Sequence, residues 1–250
     1  MHITSKENPQ VKLAVRLRES ARARREHGLF FLEGHRLCVD ALASGYVPEI
    51  LFSTESAQLK YPITHENITL ISEPVAQKLA DTQSPQGVFG VFRIGEQSFD
   101  FNREATAPPQ VVALENLQDP ANLGAIARTA AALGISSLVV SGGCDIYHPK
   151  ALRASMGALL RIAVIQVDDL PAWLHTCKLP CYAAVPDPNA TPLPNCDFSD
   201  GAVVVIGNEG NGLSEDAINA CNHRLTIPMQ AQAESLNAAA AAAIIMWHLR

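Results

Sequence analysis

Val203-Val204-Val205-Ile206-Gly207-Asn208-Glu209-Gly210-Asn211-Gly212-Leu213-Ser214 runs from four consecutive β-branched residues into three glycines with one carboxylate among them. A short, unbroken apolar run of this kind reads as a strand buried on both faces, and Ser214 suits the start of a helix. Working outward, Val111 to Leu114, Ser137 to Val140, Ile162 to Val167 and Tyr182 to Val185 repeat the strand pattern. Helical stretches separate them, notably Pro120 to Leu133 and Pro149 to Leu160. This alternation predicts an α/β fold with an open parallel sheet covered on both faces. The glycine spacing, Gly-x-x-Gly-x-Gly, is not that of a dinucleotide site, so a nicotinamide-dependent oxidoreductase is disfavoured.

Upstream the pattern is different. Leu29 to Leu32, Glu49 to Ser53, Ile68 to Ile71 and Val88 to Arg93 read as strands of a small α/β unit, with helices through Gly34 to Leu42 and Pro74 to Ala80. Gly95 to Gln110 has few large aliphatics and includes Pro108 and Pro109, which suits a linker. The expected division is therefore 1–97, a linker at 98–110, and 111–250.

The 250 residues are 48% hydrophobic and 18% charged, enough for a sizeable core, and their net charge of −6 argues against indiscriminate nucleic-acid binding. The average conceals an asymmetry. Lys6 to Arg25 holds seven bases against two acids, a balance of +5, which leaves −11 on the remainder. A basic helix on an acidic body reads as a local phosphate-contacting face or as a solvated surface helix. Val11, Ala14, Val15, Leu17 and Ala21 give it a loose apolar stripe, so it is expected to dock and leave its arginines outside. The longest apolar run, Ala238 to Trp247, has ten residues, half of what a membrane helix needs, and no signal-peptide pattern opens the chain. The six cysteines include no C-x-x-C and fit no common zinc spacing, so reduced thiols in a cytosolic protein and no metal are expected.

Two further segments carry chemistry. In Glu115-Asn116-Leu117-Gln118-Asp119-Pro120-Ala121-Asn122-Leu123-Gly124-Ala125-Ile126-Ala127-Arg128, Asp119 and Pro120 suit an N-cap and first turn. Arg128 falls opposite the stripe of Leu123, Ile126, Ala130 and Leu133, with Gly124 one turn earlier leaving room for an anion to approach. In the second, Leu225 to Met229 reads as a short strand stopped by proline. A helix is then expected from Ser235, its plausible N-cap, through Asn237 to Leu249, apolar all round and hence buried. An amide at Asn237 just inside such an element needs partners.

Together the three segments resemble the SpoU/TrmH family of RNA ribose methyltransferases in the SPOUT superfamily. The family's first motif stands as Asn122, Gly124 and Arg128. Its second stands as Gly207, Glu209, Gly210 and Gly212, and its third as Ile227, Pro228, Met229, Ser235, Leu236 and Asn237. The N-terminal part resembles the family's small ribosomal-protein-like RNA-binding domain at Glu33-Gly34-His35-Arg36 and Ser84-Pro85-Gln86-Gly87-Val88. The resemblance implies a C-terminal SPOUT-type domain with a trefoil knot, a rare exception to unthreaded connections, in a cytoplasmic homodimer. It implies S-adenosylmethionine at Gly207, Gly212, Ile227, Met229 and Leu236, and methyl transfer to a ribose 2′-oxygen of ribosomal rather than transfer RNA. It also implies Asn122, Arg128, Glu209, Ser235 and Asn237 around the acceptor, and Arg16, Arg22, Arg25 and Arg36 against RNA. Because a guanidinium stays charged, Arg128 is expected to hold the neighbouring phosphate and stabilise developing alkoxide. The chain departs from the family pattern at Ala231, Ala238 and Ala239, where the family has a glycine and Val-Ser. The competing reading is a catalytically inactive RNA-binding protein that dimerises through the knotted domain and gives no heat with S-adenosylmethionine.

Overall fold

The computed structural model describes residues 2–95, 108–230 and 235–250. The proposed linker lies almost wholly outside the described residues, and so does Ala231. The described residues fall into two compact units.

The first unit contains β1 (His2–Ile3), α1 (Pro9–Glu19), α2 (Ala21–His27), β2 (Leu29–Glu33), α3 (His35–Ala43), β3 (Pro48–Ser53), α4 (Glu55–Lys60), β4 (Ile68–Ile71), α5 (Glu73–Leu79) and β5 (Val88–Arg93). Its sheet has the order β1-β4-β3-β5-β2, parallel among β1, β4 and β3 and antiparallel where β5 meets β3 and β2. Phe31, Phe52, Phe89, Val91 and Ile71 form the core with Val11, Ala14 and Leu17 of α1 and Val75 and Leu79 of α5.

Several expectations change here. The basic stretch is two helices, because Ser20 leaves helical geometry and caps α2 by accepting the Ala23 N–H. Nor do all its arginines lie outside. Arg18 donates to the carbonyls of Lys78, Leu79 and Ala80, the last turn of α5, and Arg24 is 2% exposed. Asp145–Arg161 also packs with this unit. Arg24 Nε donates to Asp145 at 2.6 Å, Tyr147 packs on Phe30 with ring centroids 4.7 Å apart, and Arg153 and Arg161 pair with Asp81 and Asp40 at 2.6 Å each. Buried charge and an aromatic contact at long sequence separation leave no local periodicity, so the detour is invisible in the pattern. Within the segment, α7 (Pro149–Ala154) stops six residues earlier than expected. Met156 and Gly157 take positive φ and a 3-10 turn, Ala158–Leu160, follows. A side chain at 157 would meet the Asp40 carboxylate at 2.4 Å.

The second unit contains β6 (Gln110–Glu115), α6 (Pro120–Leu133), β7 (Ser137–Ser141), β8 (Ala163–Val167), α8 (Leu170–Thr176), β9 (Cys181–Ala184), β10 (Thr191–Pro192), β11 (Ala202–Ile206), α9 (Glu215–Ala220), β12 (His223–Thr226) and α10 (Ala238–Leu249). All seven strands are parallel, in the order β10-β12-β9-β11-β6-β7-β8. Every residue of β11 is buried, as a strand covered on both faces must be, and each fully buried valine contributes about 1.5–3 kcal/mol. Val111, Ala113, Val139, Val203 and Val205 pack with Leu170 and Leu174 of α8 on one face, while α10 packs with α6 and β11. The order reverses beside β6 and β11, the kind of switch point at which open α/β sheets bind ligands outside the strands' carboxyl ends.

Replacing Arg24 with alanine would strand Asp145 and the carbonyls of Leu17 and Arg18, both of which accept from this guanidinium. Removing one member of a buried ion pair is expected to destabilise by about 3 kcal/mol. Urea unfolding followed by far-UV circular dichroism would check this; an unchanged midpoint would refute it.

Candidate active site

The carboxyl ends of β6, β9, β11 and β12 meet at one crevice. Asp119 caps α6 by accepting the Ala121 N–H, and Pro120 holds the first turn. Across from it, the chain leaving β11 closes on itself: Asn208 and Gly212 exchange backbone hydrogen bonds at 2.9 and 3.0 Å. Closure requires a bare residue at 207, where a Cβ would stand 2.2 Å from the Gly212 carbonyl carbon.

The loop presents Glu209. Its carboxylate accepts from the backbone N–H of Gln118 (3.0 Å) and Asp119 (3.1 Å) and from Asn122 Nδ2 (2.9 Å). Partial burial pushes the carboxyl's pKa up, but hydrogen bonds from Asn122 and the backbone amides of Gln118, Glu209 and Asp119 outweigh it and hold it below its ordinary value. Asn122 Oδ1 in turn accepts from Asn237 Nδ2 at 3.1 Å, and Asn237 Oδ1 accepts the N–H groups of Ala239 and Ala240. One polar chain thus joins the three segments singled out in the sequence.

Two expectations are corrected at the third segment. Asn237, not Ser235, caps the last helix, which begins at Ala238; the amide lies at the exposed mouth of the element, with its partners found. Nor is that helix buried all round, because Ala240, Ile244 and Trp247 lie on one exposed face. At the first segment Arg128 is exposed and has no hydrogen-bond or ion-pair partner among the described residues. Gly124, by contrast, is buried and so leaves no open patch beside it.

Beside the polar chain lies a cavity of about 550 Å³. Gly207, Glu209, Gly212, Ile227, Met229, Ser235 and Leu236 line it, with apolar walls from Leu213, Ala241 and Ile245. Asn122, Arg128 and Asn237 are not among its lining residues. Asp187, just past β9, and Arg224, on β12, supply the cavity's other charges; sequence reading missed both. Asp187 follows a buried strand's end next to the switch point, a signal that topology would have supplied; Arg224 left none. Also missed was Glu115, 8% exposed at the end of β6. Its carboxylate accepts the Ser214 hydroxyl (2.7 Å) and N–H (2.8 Å), pinning the start of α9, while Asn208 Nδ2 donates to the Asn116 carbonyl at 2.8 Å. All six cysteines are free thiols, and no cluster that could hold a metal exists among the described residues.

Ser214→Ala removes both the cap of α9 and a hydrogen bond to a buried carboxylate. The expected cost is about 2 kcal/mol, read as a lowered urea midpoint, whereas Ser235→Ala, at a position that caps no helix, should leave the midpoint unchanged. For Glu209 the sign follows from its lowered pKa. The stabilising contribution is complete above the ordinary value of 4.5 and is lost as pH falls through the lower folded value. A stability profile of Glu209→Gln against the parent should therefore differ above pH 4.5 and converge as pH falls from there through the lower folded value; parallel profiles would show the carboxylate to be uncoupled from the fold.

Residues 109–247 match the SpoU rRNA methylase family, and residues 8–90 match the MRM3-like substrate binding domain. An uncharacterized tRNA/rRNA methyltransferase of Synechocystis is 35% identical over 99% of this chain and 93% of its own. The 23S rRNA (guanosine(2553)-2′-O)-methyltransferase RlmP of Bacillus subtilis is 32% identical over 99% and 98%. Among solved structures, AdoMet-bound rRNA methyltransferase from Sinorhizobium meliloti superposes with a TM-score of 0.87 at 27% identity, covering 100% of this chain and 97% of that one. An RNA 2′-O ribose methyltransferase superposes at 0.81 with 28% identity, covering 100% and 98%. With the motifs joined at one crevice and both segments matched, this chain belongs to the SpoU rRNA methylase family.

Proposed function

We propose that this S-adenosylmethionine-dependent RNA methyltransferase modifies a ribose 2′-oxygen of ribosomal RNA. The observation that carries the reading is the Glu209–Asn122–Asn237 chain, which meets the cavity at Glu209. The cavity fits the cofactor's chemistry. A nucleoside without pyrophosphate needs apolar walls and backbone hydrogen-bonding groups rather than a phosphate cradle, and Gly207 to Gly212 with Ile227, Met229 and Leu236 offer both. Bound there, S-adenosylmethionine would supply an electrophilic methyl group on sulfonium. The ribosomal preference draws on RlmP, whose activity is on 23S rRNA, and on the match of the first unit to a substrate-binding domain. A ribosomal substrate also favours the cytoplasm; no helix among the described residues is long and apolar enough to cross a membrane.

In this reading Asn122, Glu209 and Asn237 hold the acceptor's surroundings in register, Ser235 contacts it from the cavity wall, and Arg128 grips the adjacent phosphate. A 2′-hydroxyl is a poor nucleophile, so orientation and exclusion of water supply much of the acceleration, and a permanently charged guanidinium stabilises the developing alkoxide. Proton loss falls to water or a phosphate oxygen, since the guanidinium is already protonated. Arg16, Arg22, Arg25 and Arg36, all exposed, would face RNA.

We infer a homodimer and a trefoil knot as well. Leu236, Ala240, Ile244 and Trp247 form an exposed apolar face, with Trp247 56% exposed, of the kind a second copy covers. The knot is supported by the path of the chain, which leaves β11, runs out to β12 beyond β9, and returns as α10 against β11 and α6.

Mapping 2′-O-methyl sites in total RNA with and without the gene should reveal one lost site in ribosomal RNA; a site lost only from transfer RNA, or none, overturns the substrate. Arg128→Lys keeps charge but loses the planar fork, and is expected to lower kcat at least tenfold with cofactor affinity unchanged by calorimetry. Ile244→Glu should convert a dimer to a monomer in light scattering.

A further inference from the structure

The structure reallocates the basic stretch of the first unit. Arg18 is held by the carbonyls at the end of α5 and Arg24 by Asp145, so two of its seven cations serve the fold. Arg22 pairs with Glu26 at 2.6 Å, and Arg16 reaches the same carboxylate more loosely at 3.3 Å, with its side chain 60% exposed. Three of the rest, Lys6, Lys12 and Arg16, converge with Lys78 of α5 on a groove of about 270 Å³ between α1 and α5, floored by Val15 and edged by Ser20. Lys12 and Arg16 stand one turn apart on the face opposite Val11 and Leu17, a rise of about 6 Å along α1.

Two carboxylates also line the groove, Glu7 and Glu19. Glu7 pairs with Lys12 at 2.7 Å, with side chains 78% and 60% exposed. The hydrogen bond and charge of Lys12, with the charge of Lys78 adding to them, hold Glu7 below its ordinary pKa. Such an exposed pair is screened by solvent and weak enough for a stronger anion to displace. Glu19 is neutralised from outside the groove by Arg18. Lys6 and Lys78 have no ion-pair partner among the described residues.

We propose that this groove is a seat for the phosphodiester backbone of RNA, with Lys6, Lys12, Arg16 and Lys78 each facing phosphate oxygens. This rests on the reading of the first unit as the part that holds substrate RNA, and it adds Lys6, Lys12 and Lys78 to that surface. An acidic protein segment fits less well, because Val15 is the one apolar residue among those that line the groove. The contacts position without reading sequence, since cations on phosphates carry no base information.

The test uses the full chain and a fluorescein-labelled 20-nucleotide uridine homopolymer, with anisotropy followed from low to high salt. Lys12→Gln/Lys78→Gln should weaken binding at least tenfold at low salt and flatten the slope of log K against log[salt] by about 1.4, the contribution of two phosphates on a single strand. Lys60→Gln/Arg93→Gln, with the same change of charge elsewhere on the unit, should stay within twofold of the parent at an unchanged slope. Equal losses in both variants would reduce the effect to net charge and overturn the groove. Groove variants that bind like the parent overturn it too, leaving the RNA reading intact. A parent that binds neither this probe nor ribosomal RNA sinks the RNA reading of the unit and the groove with it. An oligoglutamate of equal charge that displaces the probe stoichiometrically would make the groove a protein-docking face.

Discussion

Glu209 receives two backbone N–H groups from the turn after β6 and an amide from α6, and that convergence is what holds the crevice together. The carboxylate sits on a loop that has already closed on itself through Asn208 and Gly212, so it has little freedom left to lose when its donors arrive. Charged acceptors take shorter and stronger hydrogen bonds than neutral ones, and three of them at one group tie two segments nearly ninety positions apart. Glu115 and Asn208 make the same join on either side, one to Ser214 and the other to the Asn116 carbonyl. The cavity wall is therefore braced at both ends of the glycine loop before any ligand enters, which is the preorganisation that orientation-driven catalysis requires.

Much of this architecture was legible in the residues because it is periodic or steric. β11 and β5 stand where their runs of β-branched and aromatic residues predict, and α6 starts at Asp119-Pro120 as a cap followed by proline should. The glycine at 207 is explained by the approach of Gly212, a contact that any Cβ would block. Non-local features could not be read in this way. The attachment of Asp145–Arg161 to the first unit rests on a buried ion pair and one aromatic contact, and neither repeats along the chain. Ser235 looked like a cap by residue type, but helix starts are chosen by which side chain reaches the free N–H groups. Asn237 reaches two of them while also serving Asn122.

Charge counting misleads for a related reason. Seven bases in twenty residues suggest a uniform surface, yet a guanidinium has five donors and can close helix ends as well as bind anions. Arg18 does so at the end of α5, and Arg24 satisfies two carbonyls and a carboxylate inside the unit. Composition reports how many cations a segment has; only packing tells which remain available to solvent.

The same distinction separates roles within the crevice. Asn122 uses its amide on Glu209 and its carbonyl on Asn237, and Asn237 uses its carbonyl on the start of α10. Groups so committed cannot shift far toward an incoming substrate without releasing the loops they hold, so their chemistry is to fix geometry. Arg128 stands on the same helix, exposed and with no partner among the described residues. Among the described residues nothing takes up its five donors or its permanent charge, which is what the proposed grip on a phosphate requires. In the proposed reading the braced frame and this cation divide the work, because a frame whose hydrogen bonds are already made need not reorganise when charge appears on a bound oxygen.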